Sequence, residues 1–327
     1  MANFIRYNLR TSNDERQEAK IASILLVFES RHSEMNLADV LHNKIKGANL
    51  IAAFWLIAFG VALPSYTQAI QRVGGTLVVA VPVQEGLVVC SDKRLYNDAT
   101  NTFTDTYVKI HQVNSNALFV ATHTTGFLDA TTGKMAFDIF DITARFVSKN
   151  DLKPSPAYWD GLKKVIRDQL LAYLSARKYG DWPATDTANN KLLFNLVFYA
   201  VDGKAARSYS MSVFYEKAPT PVIYIPNVVG EEVKTPKLLG KGKDVIALLA
   251  RNPKLSSDPS FLRFDQYSFA PSKTSVSDAV DFARKLFEIT NSGLPQAQVS
   301  KTYDCALLGY QTGFRWLDNS GGSTAVR

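Results

Sequence analysis

Three residues with complementary chemistry lie close together in one stretch of the chain. Thr76 follows a glycine pair, Asp92 comes at the end of a later β-branched run, and Lys109 begins a third apolar run. A threonine that becomes the first residue of a chain carries a hydroxyl nucleophile and an amine base on one residue. Gly75 before it is small and flexible enough to let the threonine side chain attack the preceding peptide bond. These residue types form a possible nucleophilic site, in which cleavage after Gly75 would expose the threonine.

The segments around these residues predict the strands that would bring them together. Thr76–Val81 and Leu87–Cys90 are short β-branched runs separated by a proline and a Glu-Gly pair, which is typical of a hairpin. Tyr107–Val113 alternates apolar and polar residues, and Ala117–Thr122 follows it after an Asn-Ser-Asn turn. Two consecutive hairpins would place the three residues on neighbouring strands.

Each of the three residues also has an ordinary structural interpretation. Threonine is common in strands, and Asp92 could cap a turn or pair with Arg94. A lysine in an alternating strand is most often the exposed member, whereas an inward lysine in a site has its pKa lowered by burial. Residue types alone leave both interpretations open.

The order and spacing of four motifs resemble the proteasome β-type subunits of the N-terminal-nucleophile (Ntn) hydrolase superfamily. The motifs are Gly75-Thr76, Ser91-Asp92-Lys93-Arg94, Thr106-Tyr107-Val108-Lys109-Ile110 and the run from Leu118 to Gly126. The resemblance extends from Gly75 to the last predicted strand. The chain is thus similar to a bacterial-type proteasome homologue with an added N-terminal segment.

The resemblance implies a catalytic set of Thr76, Asp92 and Lys109, with Gly75 on the other side of the cleaved bond. Supporting roles would fall to Ser91, Arg94, Thr124, Gly126 and Ser300. The implied fold is α+β, a four-layer α-β-β-α sandwich with two antiparallel sheets between helical layers. The family also implies a peptide or amide substrate, a homo-oligomeric ring, and neither a metal nor an organic cofactor.

Departures from the family pattern keep other functions open. The glycine expected near the oxyanion falls around His123–Thr124, with Gly126 beyond it, and Lys241 replaces a serine between two glycines. Of the residues Gln298 to Lys301, only Ser300 has a suitable supporting side chain. The main interpretation is an exported threonine-nucleophile amide hydrolase of the proteasome peptidase type. The alternatives are a non-catalytic ring or partner-binding subunit, an Ntn acylase or amidase on a small amide, and a membrane-anchored binding protein.

Composition limits the other classes of protein. With 327 residues, of which 46% are apolar, the chain can bury a full core. The net charge of +7 is spread out, and the local cluster of Lys234, Lys237, Lys241 and Lys243 has no interleaved aromatic residues, which argues against nucleic-acid binding. The two cysteines, Cys90 and Cys305, are too few for a Cys-rich zinc site. They are expected to be buried thiols, or one disulfide if the protein is exported.

An uncharged segment precedes the predicted hydrolase domain. Its apolar part, Leu50–Leu63, is short for a spanning helix and suits a secretory signal, because lysines precede it and Thr67-Gln68-Ala69 follows it. A translation start at Met35 would give this signal an ordinary length. The predicted location is periplasmic or secreted. The alternatives are a membrane anchor formed by residues 47–69, with membrane association through 50–63, and a buried helix.

These observations predict five regions and the elements of the main domain. The regions are a polar segment (1–46), a signal or anchor (47–69), a short propeptide or linker (70–75), the hydrolase domain (76–318) and a loose tail (319–327). The further elements are a loop over 95–105, helices within 133–150, 159–174 and 244–250, strands at 192–201, 208–215 and 222–226, a long polar loop over 252–275, a helix with a capping box at Ser275 and Asp278, and strands at 305–311 and 314–317.

Overall fold

The computed structural model describes the chain from residue 71 to residue 318 with some gaps. The described residues are 71–97, 99–129, 132–178, 182, 191–217, 220–252, 258–264, 269–293 and 299–318. The predicted polar segment, signal or anchor, and C-terminal tail lie outside these ranges. Within them, no helix is both long enough and apolar enough to cross a membrane.

The strands form two antiparallel sheets. The five-stranded sheet contains, in spatial order, β13 (Lys237–Gly240), β2 (Leu77–Val83), β3 (Gly86–Asp92), β14 (Tyr303–Gly309) and β15 (Gly313–Leu317). The ten-stranded sheet has a main path of β11 (Val222–Tyr224), β10 (Ala205–Glu216), β9 (Leu192–Asp202), β7 (Ala117–Leu128), β1 (Gln71–Gly74), β4 (Leu95–Asn97) and β5 (Thr102–Thr104). Beside this path, β12 (Val229–Glu232) pairs with β10, while β6 (Ile110–Asn114) and β8 (Met135–Asp138) pair with β7.

Helices complete the predicted α+β class, which is confirmed. They are α1 (Ile139–Val147), α2 (Pro156–Ser175), α3 (Gly242–Arg251), the single turn α4 (Pro259–Leu262) and α5 (Val276–Gly293), with a 3₁₀ turn at Pro271–Lys273. The predicted capping box starts α5, since the amide of Asp278 donates to the Ser275 hydroxyl at 3.1 Å and the Asp278 carboxylate accepts from the Ser275 amide at 3.3 Å.

Three clusters of buried side chains hold these elements together. One joins α1 and α2 to the ten-stranded sheet, and a second joins α3 and α5 to the five-stranded sheet. The third contains residues of both sheets, among them Val78 and Ala80 of β2 and Leu118 and Val120 of β7. Strand β2 is buried on both faces, which explains its unbroken apolar sequence. Each fully buried Val or Leu contributes about 1.5–3 kcal/mol, so β2 is held firmly beside Thr76.

Several predicted elements are corrected by the structure. The predicted linker at 70–75 contains strand β1. This strand has only four residues and no alternating pattern, so the sequence does not predict it. The predicted loop at 95–105 contains β4 and β5, whose pairing with each other and with β1 outweighs the low strand propensity of Asn and Asp. The predicted strand at 107–113 begins only at Ile110, so Lys109 precedes β6. Met135, expected in a helix, lies in β8. Strands β12 and β13 were not predicted.

The two cysteines face each other on adjacent strands and form a disulfide. Cys90 of β3 pairs in register with Cys305 of β14, and both residues are buried. Of the two expectations for the cysteines, the disulfide is therefore the one observed.

Candidate active site

Thr76 lies between β1 of the larger sheet and β2 of the smaller one, and its backbone is held firmly. Its carbonyl oxygen accepts the amide of Lys241 at 2.9 Å. Gly240 has a φ of +65°, and a Cβ at Gly240 would collide with the Thr76 carbonyl oxygen. A glycine is therefore needed at position 240 both for backbone conformation and for space. The Thr76 hydroxyl is buried and has no hydrogen-bond partner among the described residues.

The glycine pair before Thr76 fits closely against β7. Gly75 has a φ of +77°, and its amide donates to the carbonyl of His123 at 3.3 Å. A Cβ at Gly74 would collide with the same carbonyl oxygen. His123 itself has a φ of +71° and lies two residues before Thr125, which the pairing of β7 with β1 skips. Both glycines thus allow the chain to pass close to β7 directly before Thr76.

Asp92 ends β3 with its carboxylate fully buried. One oxygen, Oδ1, accepts the amide of Leu77 at 2.8 Å, and the other accepts the amide of Arg94 at 3.0 Å. The amide of Ser300 also points at Oδ2, at 3.5 Å. These backbone donors fix the carboxylate next to the residue that follows Thr76.

The ammonium group of Lys109 faces three acceptors. Nζ lies 2.8 Å from the carbonyl oxygen of Gly75, 3.2 Å from Oδ2 of Asp92, and in a short hydrogen bond with the carbonyl of Arg94. The side chains of Lys109 and Asp92 are both 0% exposed. The contact to Gly75 matters for chemistry because that carbonyl belongs to the peptide bond joining Gly75 to Thr76.

Burial dominates the electrostatics of this ion pair. It lowers the pKa of Lys109 below the ordinary value, while the charge of Asp92 pushes it back up. Burial likewise raises the pKa of Asp92, opposed first by Lys109 and then by the amides of Leu77 and Arg94. A buried lysine whose pKa is shifted by burial and by one specific charge partner marks a candidate functional site.

The predicted supporting residues fall into two groups. Arg94 and Ser300 contact Asp92 through their amides, and the Ser91 hydroxyl donates to the Asp92 carbonyl at 3.3 Å. Thr124 and Gly126 instead lie in β7 as register partners of β1, opposite Gly74 and Val73. In the first group, Arg94 and Ser300 contact the Asp92 carboxylate and Ser91 contacts the Asp92 backbone. The second group lies on the strand that pairs with β1, directly before Thr76.

The sequence alone does not identify three residues around this cluster, which are Phe103, Asp105 and His123. The guanidinium of Arg94 forms two hydrogen bonds of 2.7 Å to Asp105 and lies 3.8 Å from the ring centre of Phe103. The carbonyl of His123 accepts the hydrogen bond from the Gly75 amide. The only sequence feature that could have identified Asp105 is its position, four residues before Lys109 and at the end of a segment predicted to be a loop.

In the described part of the chain, no three or more His, Cys, Asp or Glu residues are grouped so that they could hold a metal ion. His111 of β6 stacks on Phe119 and Phe140.

Similarity to known proteins is found among solved structures. No protein-family model matches the chain, and no curated protein matches it. Among solved structures, the chain is similar to "Anbu (Gly-1) mutant from Hyphomicrobium sp. strain MC1", with 14% identity and a TM-score of 0.39, covering 77% of this chain and 85% of that one. The geometry of the site, rather than this similarity, carries the functional conclusion.

Proposed function

We propose that this protein is a threonine-nucleophile amide hydrolase of the proteasome-like Ntn type, which matures by cutting its own Gly75–Thr76 bond. One observation carries the proposal. The buried Lys109–Asp92 pair directs an ammonium N–H at the Gly75 carbonyl oxygen, 2.8 Å away, and the adjacent Thr76 hydroxyl has no hydrogen-bond partner among the described residues. A donor aimed at a carbonyl and an uncommitted nucleophile beside it are the two parts that acyl transfer requires.

In the uncut chain, Thr76 Oγ attacks the Gly75 carbonyl carbon, and the hydroxyl proton passes to the Thr76 nitrogen as the C–N bond breaks. The carbonyl oxygen becomes negative, and the Lys109 ammonium stabilises that charge from its present position. Breaking the C–N bond transfers the acyl group to Oγ as an ester and leaves the Thr76 nitrogen as an amine. Water then hydrolyses the ester, which releases a carboxylate at Gly75 and a free N-terminal threonine.

In the mature enzyme the same groups act on another chain. Departure of Gly75 removes one of the acceptors of Lys109, so that an N–H becomes available to the Thr76 hydroxyl. The α-amine, with an ordinary pKa of about 7.7–8.0, takes the hydroxyl proton as Oγ attacks the substrate carbonyl. Asp92 keeps Lys109 charged and oriented.

The substrate is proposed to be an extended peptide. The residues before the Gly75–Thr76 bond form strand β1, which is hydrogen-bonded to β4 on one side and to β7 on the other. Once β1 leaves, two strands with unpaired edges remain, and such edges bind a peptide by adding a strand. This arrangement favours a peptidase over an acylase acting on a small amide.

The finer fold assignment belongs to the same proposal. The three buried clusters, one beneath each pair of helices and one containing residues of both sheets, support a four-layer α-β-β-α sandwich.

The resemblance to proteasome β-type subunits further suggests a homo-oligomeric ring. Light scattering on the mature protein tests the ring, and a monomer at micromolar concentration would contradict it while leaving catalysis open.

Export is proposed on the basis of the disulfide and the N-terminal segment. Cys90 and Cys305 form a bond of the kind that persists in oxidising compartments. The apolar run Leu50–Leu63 lies outside the described residues and supports a secretory signal by sequence alone. Fusing residues 35–75 to a reporter that is active only outside the cytoplasm tests export, and an inactive reporter would contradict it.

The alternative of a non-catalytic subunit rests on position 241, where a lysine lies beside Thr76. The Lys241 side chain pairs with Asp244 at 3.5 Å. A protein that has no amide hydrolase activity and never cuts its own chain would support this alternative.

Mass and N-terminal sequence of the purified protein test self-cleavage directly. Wild type should begin at Thr76, whereas Thr76→Ala should keep the preceding residues and lose turnover of fluorogenic peptides. Thr143→Ala is a matched control, because Thr143 is another buried threonine whose hydroxyl has no partner among the described residues, but it lies in α1. If Thr76→Ala is cut at the same bond as wild type, another protease does the cutting and the proposal of self-cleavage is wrong.

A further inference from the structure

Arg94 connects the Lys109–Asp92 pair to a second charged group. Its amide donates to Oδ2 of Asp92, and its carbonyl accepts a hydrogen bond from Nζ of Lys109. The backbone of this one residue therefore contacts both members of the buried pair. Its placement decides where the Lys109 ammonium lies relative to the Gly75 carbonyl.

The placement of Arg94 is fixed by its side chain. The guanidinium forms two parallel hydrogen bonds of 2.7 Å to the carboxylate of Asp105. It also covers the Phe103 ring, and Nη1 reaches the carbonyl of Val299 at 3.5 Å. The Arg94 side chain is only 7% exposed, so these contacts hold it in one orientation.

Asp105 is well suited to keep this arrangement charged. The hydrogen bonds from Arg94 hold the pKa of Asp105 below its ordinary value, with a further contribution from the Ser300 hydroxyl. Ser300 in turn directs its amide at Asp92. Asp105 is thus hydrogen-bonded to Arg94, whose amide donates to the Asp92 carboxylate, and it has no hydrogen bond of its own to Thr76 or Lys109 among the described contacts.

We propose that Asp105 is a positioning residue for amide hydrolysis, which holds Lys109 in place through Arg94. The inference rests on the proposed function and adds a residue to its machinery. Without the Asp105 carboxylate, the Arg94 guanidinium loses its bidentate partner. The Arg94 carbonyl then no longer holds the third N–H of the Lys109 ammonium, and the ammonium shifts away from the reacting carbonyl.

The charged groups that face Lys109 give the proposal a pH signature. They are Asp92 and Asp105, which raise the pKa of Lys109, and Arg94, which lowers it. Removing the negative charge at position 105 lowers the pKa of Lys109 further. Because hydrolysis needs the charged ammonium, the alkaline side of the pH–rate profile should move to lower pH.

The experiment compares Asp105→Asn with Asp304→Asn in self-cleavage and in peptide turnover across pH. Asp304 is a matched control, since it also forms an ion pair beside the site but with Lys93, at 3.3 Å. We expect Asp105→Asn to lower kcat at least about 10-fold with little change in KM, and to shift the alkaline limb to lower pH. Asp304→Asn should keep the wild-type profile, and Asp105→Glu, which retains the charge, should recover part of the rate.

A double-mutant cycle tests whether Asp105 acts through Arg94. Arg94→Lys keeps the positive charge but loses the bidentate contact, so the double variant Arg94→Lys with Asp105→Asn should be hardly slower than either single variant. Additive losses would overturn the route through Arg94. If wild type is active and folded Asp105→Asn has the same rate and pH profile, the inference about Asp105 is wrong and the proposed function stands. If wild type shows neither self-cleavage nor turnover, the proposed function is wrong and this inference with it.

Discussion

The Lys109 ammonium lies 2.8 Å from the carbonyl oxygen of Gly75 while its other two hydrogen-bonding directions are taken by Asp92 and the Arg94 carbonyl. The cation is therefore held on three sides, and only one of these contacts is with the bond proposed to be cut. A fixed donor of this kind needs no rearrangement as charge develops on the oxygen, which is the condition for efficient electrostatic stabilisation.

Replacement of Lys109 should slow maturation and turnover severely. Lys109→Ala removes the donor to the Gly75 carbonyl, and loss of one such donor typically costs about 100- to 1,000-fold in rate. Lys109→Arg should not restore the rate, because a planar guanidinium does not match three acceptors arranged around a single nitrogen. The measurement is the rate of self-cleavage, followed by intact mass. Lys93→Ala is the control, since Lys93 is a neighbouring lysine that pairs with Asp304 instead.

The same variant should also be less stable. Lys109→Ala leaves the Asp92 carboxylate buried without its partner, which costs about 3–5 kcal/mol for a typical buried pair. Circular dichroism at the assay temperature therefore accompanies the rate measurement. Self-cleavage of folded Lys109→Ala at the wild-type rate would contradict the role given to the ammonium.

Substitution of Gly240 should displace Thr76 by a steric collision. Substitution of Gly203, which causes backbone strain without a collision, serves as the control. Gly240→Ala places a methyl group against the Thr76 carbonyl oxygen in a backbone with φ of +65°. Gly203→Ala introduces nearly the same strain, at φ of +58°, into open space. Strain of this kind costs about 1–3 kcal/mol, so both variants should lose stability while only Gly240→Ala loses self-cleavage. Equal self-cleavage in the two variants would contradict the positioning of Thr76 by Gly240.

The sequence predicts the strong local patterns and misses what tertiary pairing supplies. Unbroken β-branched runs identified β2 and β3, and a capping box identified the start of α5. Strand β1 has no such pattern, because its pairing comes from β4 and β7, which are distant in sequence. Similarly, Thr76, Asp92 and Lys109 could be grouped by resemblance, but the Arg94–Asp105 contact depends on a hairpin that was predicted to be a loop.

Removal of the disulfide should lower stability without removing the site. Cys90 and Cys305 close a loop with a sequence separation of 215, and loss of a native disulfide typically costs about 2–5 kcal/mol. The double variant Cys90→Ser and Cys305→Ser should therefore unfold at lower denaturant concentration than wild type. Both cysteines are buried, so reductant alone should act on wild type slowly. A double variant as stable as wild type would contradict this expectation.

The pH dependence of peptide hydrolysis should be bell-shaped, and each limb has its own cause. On the acidic side the rate should rise with pH as the Thr76 α-amine loses its proton and becomes able to act as a base. The nearby Lys109 cation lowers the pKa of that amine below the ordinary value of about 7.7–8.0. On the alkaline side the rate should fall as Lys109 loses its charge, and burial lowers its pKa below the ordinary 10.5.

The two limbs can be assigned with the mature wild type and one variant. The measurement is kcat/KM for a fluorogenic peptide from pH 5 to pH 11, with folding checked at each pH. Any residual activity of Lys109→Arg should rise to a plateau without an alkaline fall, because a guanidinium keeps its charge throughout this range. A wild-type rate that stays constant up to the ordinary lysine pKa would contradict the lowered pKa of Lys109. A rate that shows no fall up to pH 11 would contradict the requirement for its charge. Loss of activity on acetylation of the α-amine would support the amine of Thr76 as the base, whereas an unchanged acidic limb in the acetylated protein would contradict it.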